Sequence, residues 1–226
     1  IVRNSVYLGE AYDARREQPG WDRPGFDASN WQRAKLASES LGPLESQSQP
    51  PIRQTATLKP MKISQPKKGV YLFDFGQNFA GWVKLWVKGK AGAKVKLRYG
   101  ELLYDDGMLN VLTTVCGQIK EPGKGGPGAP PIAEQCDTYI LKGEGSEVYT
   151  PHFTYHGFRY VEVTGFPGKP TLDAIEGVRF NTAVEETGSF SCSNDLFNNI
   201  QQMARRTFPS NLMGVQTDCP GRERFG

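Results

Sequence analysis

Apolar side chains recur at every second position through the middle of the chain. Val83, Leu85 and Val87 alternate with Lys84, Trp86 and Lys88, and Val95, Leu97 and Tyr99 alternate with Lys94, Lys96 and Arg98. A period of two places one face of a strand against a core and the other in water, the pattern of an antiparallel sandwich. The lysines then mark the solvated side of a sheet. Turn signals at Lys88-Gly89-Lys90, Ala91-Gly92, Asp105-Asp106-Gly107 and 142–145 are spaced as an all-β fold requires. The stretch PHFTYHGFRYVEVTGF predicts a strand pair or a bulged strand kinked at Gly157, and IEGVRFNTAV and GSFSCS predict two further strands.

At Ser193 the period switches. Ser193 or Asn194 can cap a helix, Asp195 suits its positive end, and Leu196, Ile200, Met203 and Ala204 share one face. The helix is expected to end near Phe208-Pro209. One helix with one apolar stripe makes no core alone, so it needs a partner on the sandwich or beyond residue 226.

The first third is irregular. Trp21, Phe26 and Trp31 are expected to pin an extended segment onto a neighbouring surface, with a sugar-stacking platform as the sharper alternative. Residues 38–56 are rich in Ser, Gln and Pro and read as a linker. Residues 117–131, with almost no apolar content, predict a mobile surface loop.

Composition narrows the function classes. Aromatics at 11% with 26 Gly and 16 Pro fit strands and tight turns rather than a helical bundle. No run approaches the length of a membrane-spanning helix. A dispersed net charge of +3 lacks the concentrated basic face of a nucleic-acid reader. Cys116, Cys136, Cys192 and Cys219 show no metal-ligand spacing with His152 or His156. Cys116 and Cys136 flank the Gly/Pro-rich excursion and are either bridged or two separate thiols. His156, set among Phe153, Tyr155, Phe158 and Tyr160, reads as a hydrogen-bonded structural residue.

The candidate chemistry sits in TDCPGRERFG, where Asp218, Arg222, Glu223 and Arg224 fall within seven positions. A carboxyl group among oriented charges can have its pKa tuned for proton transfer. Acid–base chemistry needs a second, separately placed group, which the sequence does not supply. The start, IVRNSVYLGE, has neither a Met nor a signal-peptide profile, so the chain is expected to be part of something larger.

Seven blocks, in order, carry a resemblance: GEAYDAR with PGW and GFDASNW, then FDFGQNFAGW, GELLYDDGMLN, DTYILKGEG, FTYHGFRYVEVTGF, FSCSN and TDCPGRER. Together they resemble the bacterial α-L-rhamnosidases, inverting glycoside hydrolases, over nearly the whole chain; only the loop around residues 111–134 is unmatched. The resemblance implies a mainly β architecture, an antiparallel concanavalin-like β-sandwich followed by the first helix of a truncated (α/α)6 barrel. Residues 1–56 would end an N-terminal β-sandwich domain and its linker, 57–191 would form the β-sandwich domain, and 192–226 would start the catalytic domain.

Carried over by motif, Glu223 matches the general acid, Asp218 a carboxylate that binds sugar hydroxyls, and Arg222 a neighbour that orients ligand or acid. Arg224 would balance charge. Two departures stand out: Gly221 occupies a position where the family often has a side chain, and Glu223 follows Arg222 with no intervening Asp. The implied partner is a rhamnose-containing glycoside or polysaccharide; no cofactor and no nucleic acid are expected, and no residue is singled out as a metal ligand. The general base is expected beyond residue 226, leaving the chain alone inactive. By analogy the compartment is periplasmic or extracellular. The alternative is a non-catalytic sandwich that binds carbohydrate or serves as a scaffold.

Overall fold

The computed structural model describes residues 1–38, 42–114, 133–222 and 224. The Cys116 pairing, the loop expected over 117–131 and Glu223 lie outside these residues. In chain order the strands are β1 (Arg3–Ser5), β2 (Gly9–Asp13), β3 (Ile52–Leu58), β4 (Lys62–Lys67), β5 (Val70–Lys88) and β6 (Lys94–Gly100). They continue with β7 (Cys136–Ile140), β8 (Ser146–Tyr149), β9 (His156–Thr164) and β10 (Ile175–Thr182). The helix α1 (Asp195–Ser210) follows, and a short hairpin, β11 (Leu212–Met213) with β12 (Val215–Gln216), leads into the charged segment.

The sheet runs β1-β2-β7-β6-β9-β5-β10-β3, and β4 and β8 also pair with β5. All pairs are antiparallel except β2 with β7. Strand β5, at 19 residues, is long enough to serve both layers of the curled sheet. Its near end pairs with β4 and the far half of β9, and its other end pairs with β8 and β10. Between these halves, Asp74 faces Tyr160 and Phe79 faces Phe158, so residues 75–78 are accommodated opposite Arg159 alone. The extra residues turn the strand, as bulges do. Asp74 fixes the corner: its carboxylate accepts from the Gly76 amide at 2.7 Å and from Arg159 Nε and Nη2 at 2.8 and 2.9 Å.

The alternation read from the sequence is realised in the core. Val83, Leu85, Val95, Leu97 and Tyr99 are fully buried, joined by Phe73, Phe79, Phe158 and Val161. Phe79 and Phe158 pack at 4.3 Å between ring centroids, with Phe75 edge-on to both.

Several local expectations are corrected. The irregularity lies in β5 and not at Gly157, which sits in regular register opposite Ala80. Part of the presumed linker is strand β3, an edge strand exposed along most of its length, so it carries no apolar alternation to read. Residues 188–193, GSFSCS, form no strand. Trp21 and Trp31 remain 63% and 47% exposed, and Trp31 packs on Phe26 and donates through its indole nitrogen to the Gln18 side chain, both close in sequence.

The helix matches its signals closely. Asn194 is the cap, its Oδ1 accepting from the Leu196 amide at 2.9 Å, and Pro209 falls inside the last turn. There the helix is already ending, so a missing N–H costs little. The helix touches β5 and β10, yet Leu196, Phe197, Ile200 and Met203 stay exposed. Among the described residues, no helix is long and apolar enough to cross a membrane.

Candidate active-site segment

The chain reaches the charged segment through a closed hairpin. The Thr217 amide donates to the Asn211 carbonyl at 2.8 Å, and the Gly214 amide donates to Thr182 Oγ1 at 2.7 Å, tying the turn to the end of β10. Asp218 follows, with its Oδ1 accepting from the Cys219 amide at 2.8 Å.

Cys219-Pro220-Gly221 then runs against the sandwich, and Gly157 permits the approach. A Cβ there would come within 2.8 Å of Pro220 Cγ and 3.0 Å of the Gly221 nitrogen. Glycine is required for proximity, not for a kink. Gly221 is itself buried, and a Cβ on it would lie 3.3 Å from Gln135 Nε2. The absence of a side chain at 221 thus matches a close fit over Gln135.

Gln135 is 1% exposed and holds a left-handed backbone with φ 45°. Its amide donates to the Tyr7 carbonyl and its carbonyl accepts from the Tyr99 amide, both at 3.0 Å. Its side-chain Oε1 accepts from the Gly157 amide at 3.1 Å and from Arg224 Nη2 at 3.2 Å. Arg224, also left-handed at φ 57°, donates through Nε to the Pro220 carbonyl at 2.9 Å and through Nη1 to the Val6 carbonyl. Its guanidinium lies 4.5 Å from the Tyr155 ring centroid, a cation–π contact. Burial raises the Tyr155 pKa, Arg224 opposes that rise, and Cys219 and Asp218 add to it. Asp218 and Arg224 therefore share one electrostatic neighbourhood.

Arg222 is exposed and acts on a carboxylate from the sandwich, Glu101. Burial raises the Glu101 pKa, while Arg222 and a hydrogen bond from Asn78 Nδ2 at 3.0 Å pull it back. Glu101 and Asn78 line a cavity of about 310 Å³ with Phe79, Phe158, Met203 and Pro220. This cavity borders the charged segment. A carboxyl with a raised pKa in such a cleft has the character of a functional group.

The structure thus describes three of the four charged residues singled out in the segment. Arg224 turns onto the sandwich, Arg222 reaches the field of Glu101, and Asp218 contributes to the field at Tyr155. Gln135, Tyr155 and Glu101 were not singled out from sequence. Asn78 and Glu101 stand within the blocks FDFGQNFAGW and GELLYDDGMLN, whereas Gln135 carries no sequence signal, because its role comes from burial and tertiary contact.

His156 is fully buried. Its Nε2 lies 2.9 Å from Asp137 Oδ2, its ring stacks on Tyr99 at 4.0 Å, and burial pushes its pKa down. It belongs to a buried polar cluster in which Asp137 also accepts from the Tyr99 hydroxyl and the Glu10 amide. That cluster fastens β2 to the sandwich.

Three family models match the chain: the α-L-rhamnosidase N-terminal domain over residues 1–56, the bacterial α-L-rhamnosidase concanavalin-like domain over 64–181, and the bacterial α-L-rhamnosidase 6 hairpin glycosidase domain over 185–226. The chain is 38% identical, over its full length, to an α-L-rhamnosidase of Formosa agariphila and to one of Streptomyces avermitilis, spanning 23% and 21% of their lengths. Among solved structures it resembles the α-L-rhamnosidase from Dictyoglumus thermophilum, with 46% identity and a TM-score of 0.86 over 98% of this chain and 23% of that one. It also resembles the S. avermitilis α-L-rhamnosidase complexed with L-rhamnose, with 37% identity and a TM-score of 0.87 over 99% of this chain and 20% of that one. The chain therefore spans between a fifth and a quarter of these relatives. With a concanavalin-like β-sandwich, a single helix after it and a family model matched over 64–181, the chain belongs to the bacterial α-L-rhamnosidase family.

Proposed function

We propose that this chain forms part of an enzyme that removes terminal α-L-rhamnose from glycosides or polysaccharides with inversion. The observation that carries the reading is the ordered match of all three rhamnosidase domain models, ending on the segment that holds TDCPGRER. In this reading residues 1–56 belong to an N-terminal domain and its link, 57–191 to the sandwich, and 192–226 to the start of the catalytic domain.

Glu223 is the general acid. It protonates the glycosidic oxygen as rhamnose departs through an oxocarbenium-like transition state. Asp218 holds sugar hydroxyls, and Arg222 orients the ligand or the acid. An inverting enzyme also needs a base roughly 6.5–9.5 Å from the acid to activate water on the opposite face. We assign that base to the part of the family architecture that this chain does not span. To hold its proton near neutrality, the acid needs burial and neighbouring carboxylates to outweigh the flanking arginines.

Leaving-group dependence tests the assignment. In the complete enzyme, Glu223→Gln should lower kcat/KM for an alkyl rhamnoside by about 10²–10⁴. The loss should be smaller for p-nitrophenyl α-L-rhamnoside, whose leaving group needs less protonation. Equal losses on both substrates, or unchanged turnover, would move the acid elsewhere. The 226-residue chain alone should release no p-nitrophenol, and release would place the whole catalytic apparatus within it.

A further inference from the structure

We propose that Gln135 is a positioning residue: it grips Arg224 and so sets the charged segment, Thr217–Arg224, at a fixed height over the sandwich. The inference rests on the reading above that this segment carries catalytic groups. Three independent features of Gln135 point the same way. Its side chain is buried, yet the amide oxygen is used twice, once within the sandwich by the Gly157 amide and once by the Arg224 guanidinium. Its backbone is fixed at both ends, by Tyr7 and by Tyr99, in a left-handed conformation that a non-glycine residue holds only where surroundings over-determine it. The segment also lies close over this amide, since a Cβ added at Gly221 would stand 3.3 Å from Gln135 Nε2 and one at Gly157 2.8 Å from Pro220 Cγ.

Arg224 is a suitable handle for such a grip. Its guanidinium spans the Pro220 carbonyl of its own segment, the Val6 carbonyl beside β1, the Gln135 amide and the Tyr155 ring. A planar fork with several donors can satisfy all four directions at once, which a lysine cannot. These contacts make Arg224 an anchor of the segment on the sandwich, a part of the protein with no assigned chemistry. Misplacing a reacting group by about 1 Å can cost on the order of 10²-fold in rate, so an anchor of this kind acts on turnover more than on binding.

Two measurements test the proposal. The first uses the chain itself with Cys116 and Cys192 replaced by Ser, leaving partly exposed Cys219 as the reactive thiol beside buried Cys136. Gln135→Leu should speed Cys219 alkylation at least tenfold, while Gln135→Glu, which keeps the acceptor, should stay within about threefold of the parent. Should Gln135→Leu fail to fold, Arg224→Ala probes the same contact from the segment's side. Unchanged alkylation in a folded variant overturns the proposal.

The second measurement uses the complete enzyme. Gln135→Leu should lower kcat 10- to 100-fold with KM within twofold, and Gln135→Glu should restore kcat. Faster alkylation with unchanged kcat overturns the catalytic part of the proposal. If Glu223→Gln is then equally harmless, the failure lies in the functional reading of the segment; if Glu223→Gln abolishes turnover, it lies with Gln135.

Discussion

Gly157 and Pro220 meet so closely that a single added methyl would bring carbon to 2.8 Å from carbon, and the Gly221 nitrogen stands only 3.0 Å away. The contact joins the first residues of β9 to the charged segment. On its other side Gly157 is held by the sheet, in register with Ala80.

Gly157→Ala should therefore act on the segment more than on the sheet. Overpacking of this kind costs about 1–3 kcal/mol, and the segment is the side able to yield. At 1.4 kcal/mol per factor of ten, the segment's opening equilibrium shifts by roughly five- to 150-fold. Hydrogen exchange should rise by that factor at the Thr217 amide, which donates to Asn211, while the β5–β9 ladder keeps its protection. Equal acceleration in both would show that the glycine serves the sheet instead.

The buried cluster around Asp137 gives a second expectation. Asp137 accepts from the Glu10 amide at 2.8 Å, the Tyr99 hydroxyl at 2.8 Å and His156 Nε2 at 2.9 Å, and it is wholly buried. Asp137→Ala strands three donors and should cost about 3–5 kcal/mol. At roughly 2–4 °C per kcal/mol for a chain of this size, calorimetry should show Tm lower by about 6–20 °C. His156 adds a pH dependence of known sign. Its folded pKa is depressed, first by burial, so between that pKa and 6.5 the unfolded chain binds the extra proton. Its contribution is fully present above 6.5 and is lost as pH falls through the folded pKa. His156→Gln should flatten the fall in Tm below pH 6.5, and an unchanged slope would assign it to other groups.

The main architecture was legible because the sandwich obeys a simple rule. Val83 to Tyr99 alternate in sequence as they do in space, and Asn194 caps the helix where the period changes. Strand β3 was not legible, since an exposed edge imposes no apolar pattern. The corner of β5 was likewise hidden, since the turn depends on Arg159, which is distant in sequence. The site divides similarly. Asp218, Arg222 and Glu223 are visible as clustered charges in a familiar motif. Gln135 and Tyr155 gain meaning only when folding brings Arg224 to them.

The β5 corner can be tested through Asp74. Arg159, the first cause, and the Gly76 amide hold its carboxyl below the ordinary range despite partial burial. Asp74→Ala should cost about 1–2 kcal/mol near neutrality, in the range of a charge-assisted hydrogen bond at a half-open site. A depressed carboxyl contributes above its unfolded pKa of 3.8 and loses that contribution as pH falls through the folded value. The gap in urea midpoint between wild type and variant should therefore close as pH falls below 3.8. A gap that persists undiminished would mean that the side chain acts through packing.

Glu101 offers the most direct test of the field around the charged segment. Burial raises its pKa and is the larger influence; the Arg222 charge and the Asn78 amide oppose it. Removing the charge with Arg222→Ala should move the Glu101 titration upward, and Asn78→Leu should move it in the same direction through the lost hydrogen bond. Carboxyl-carbon NMR can follow that titration in each variant. The arginine effect should also weaken with added salt, since Arg222 is exposed and its field is screened over roughly 8–10 Å at ordinary ionic strength, while the effect of Asn78 should not. An unchanged or falling Glu101 pKa in Arg222→Ala would separate the arginine from the sandwich carboxylate.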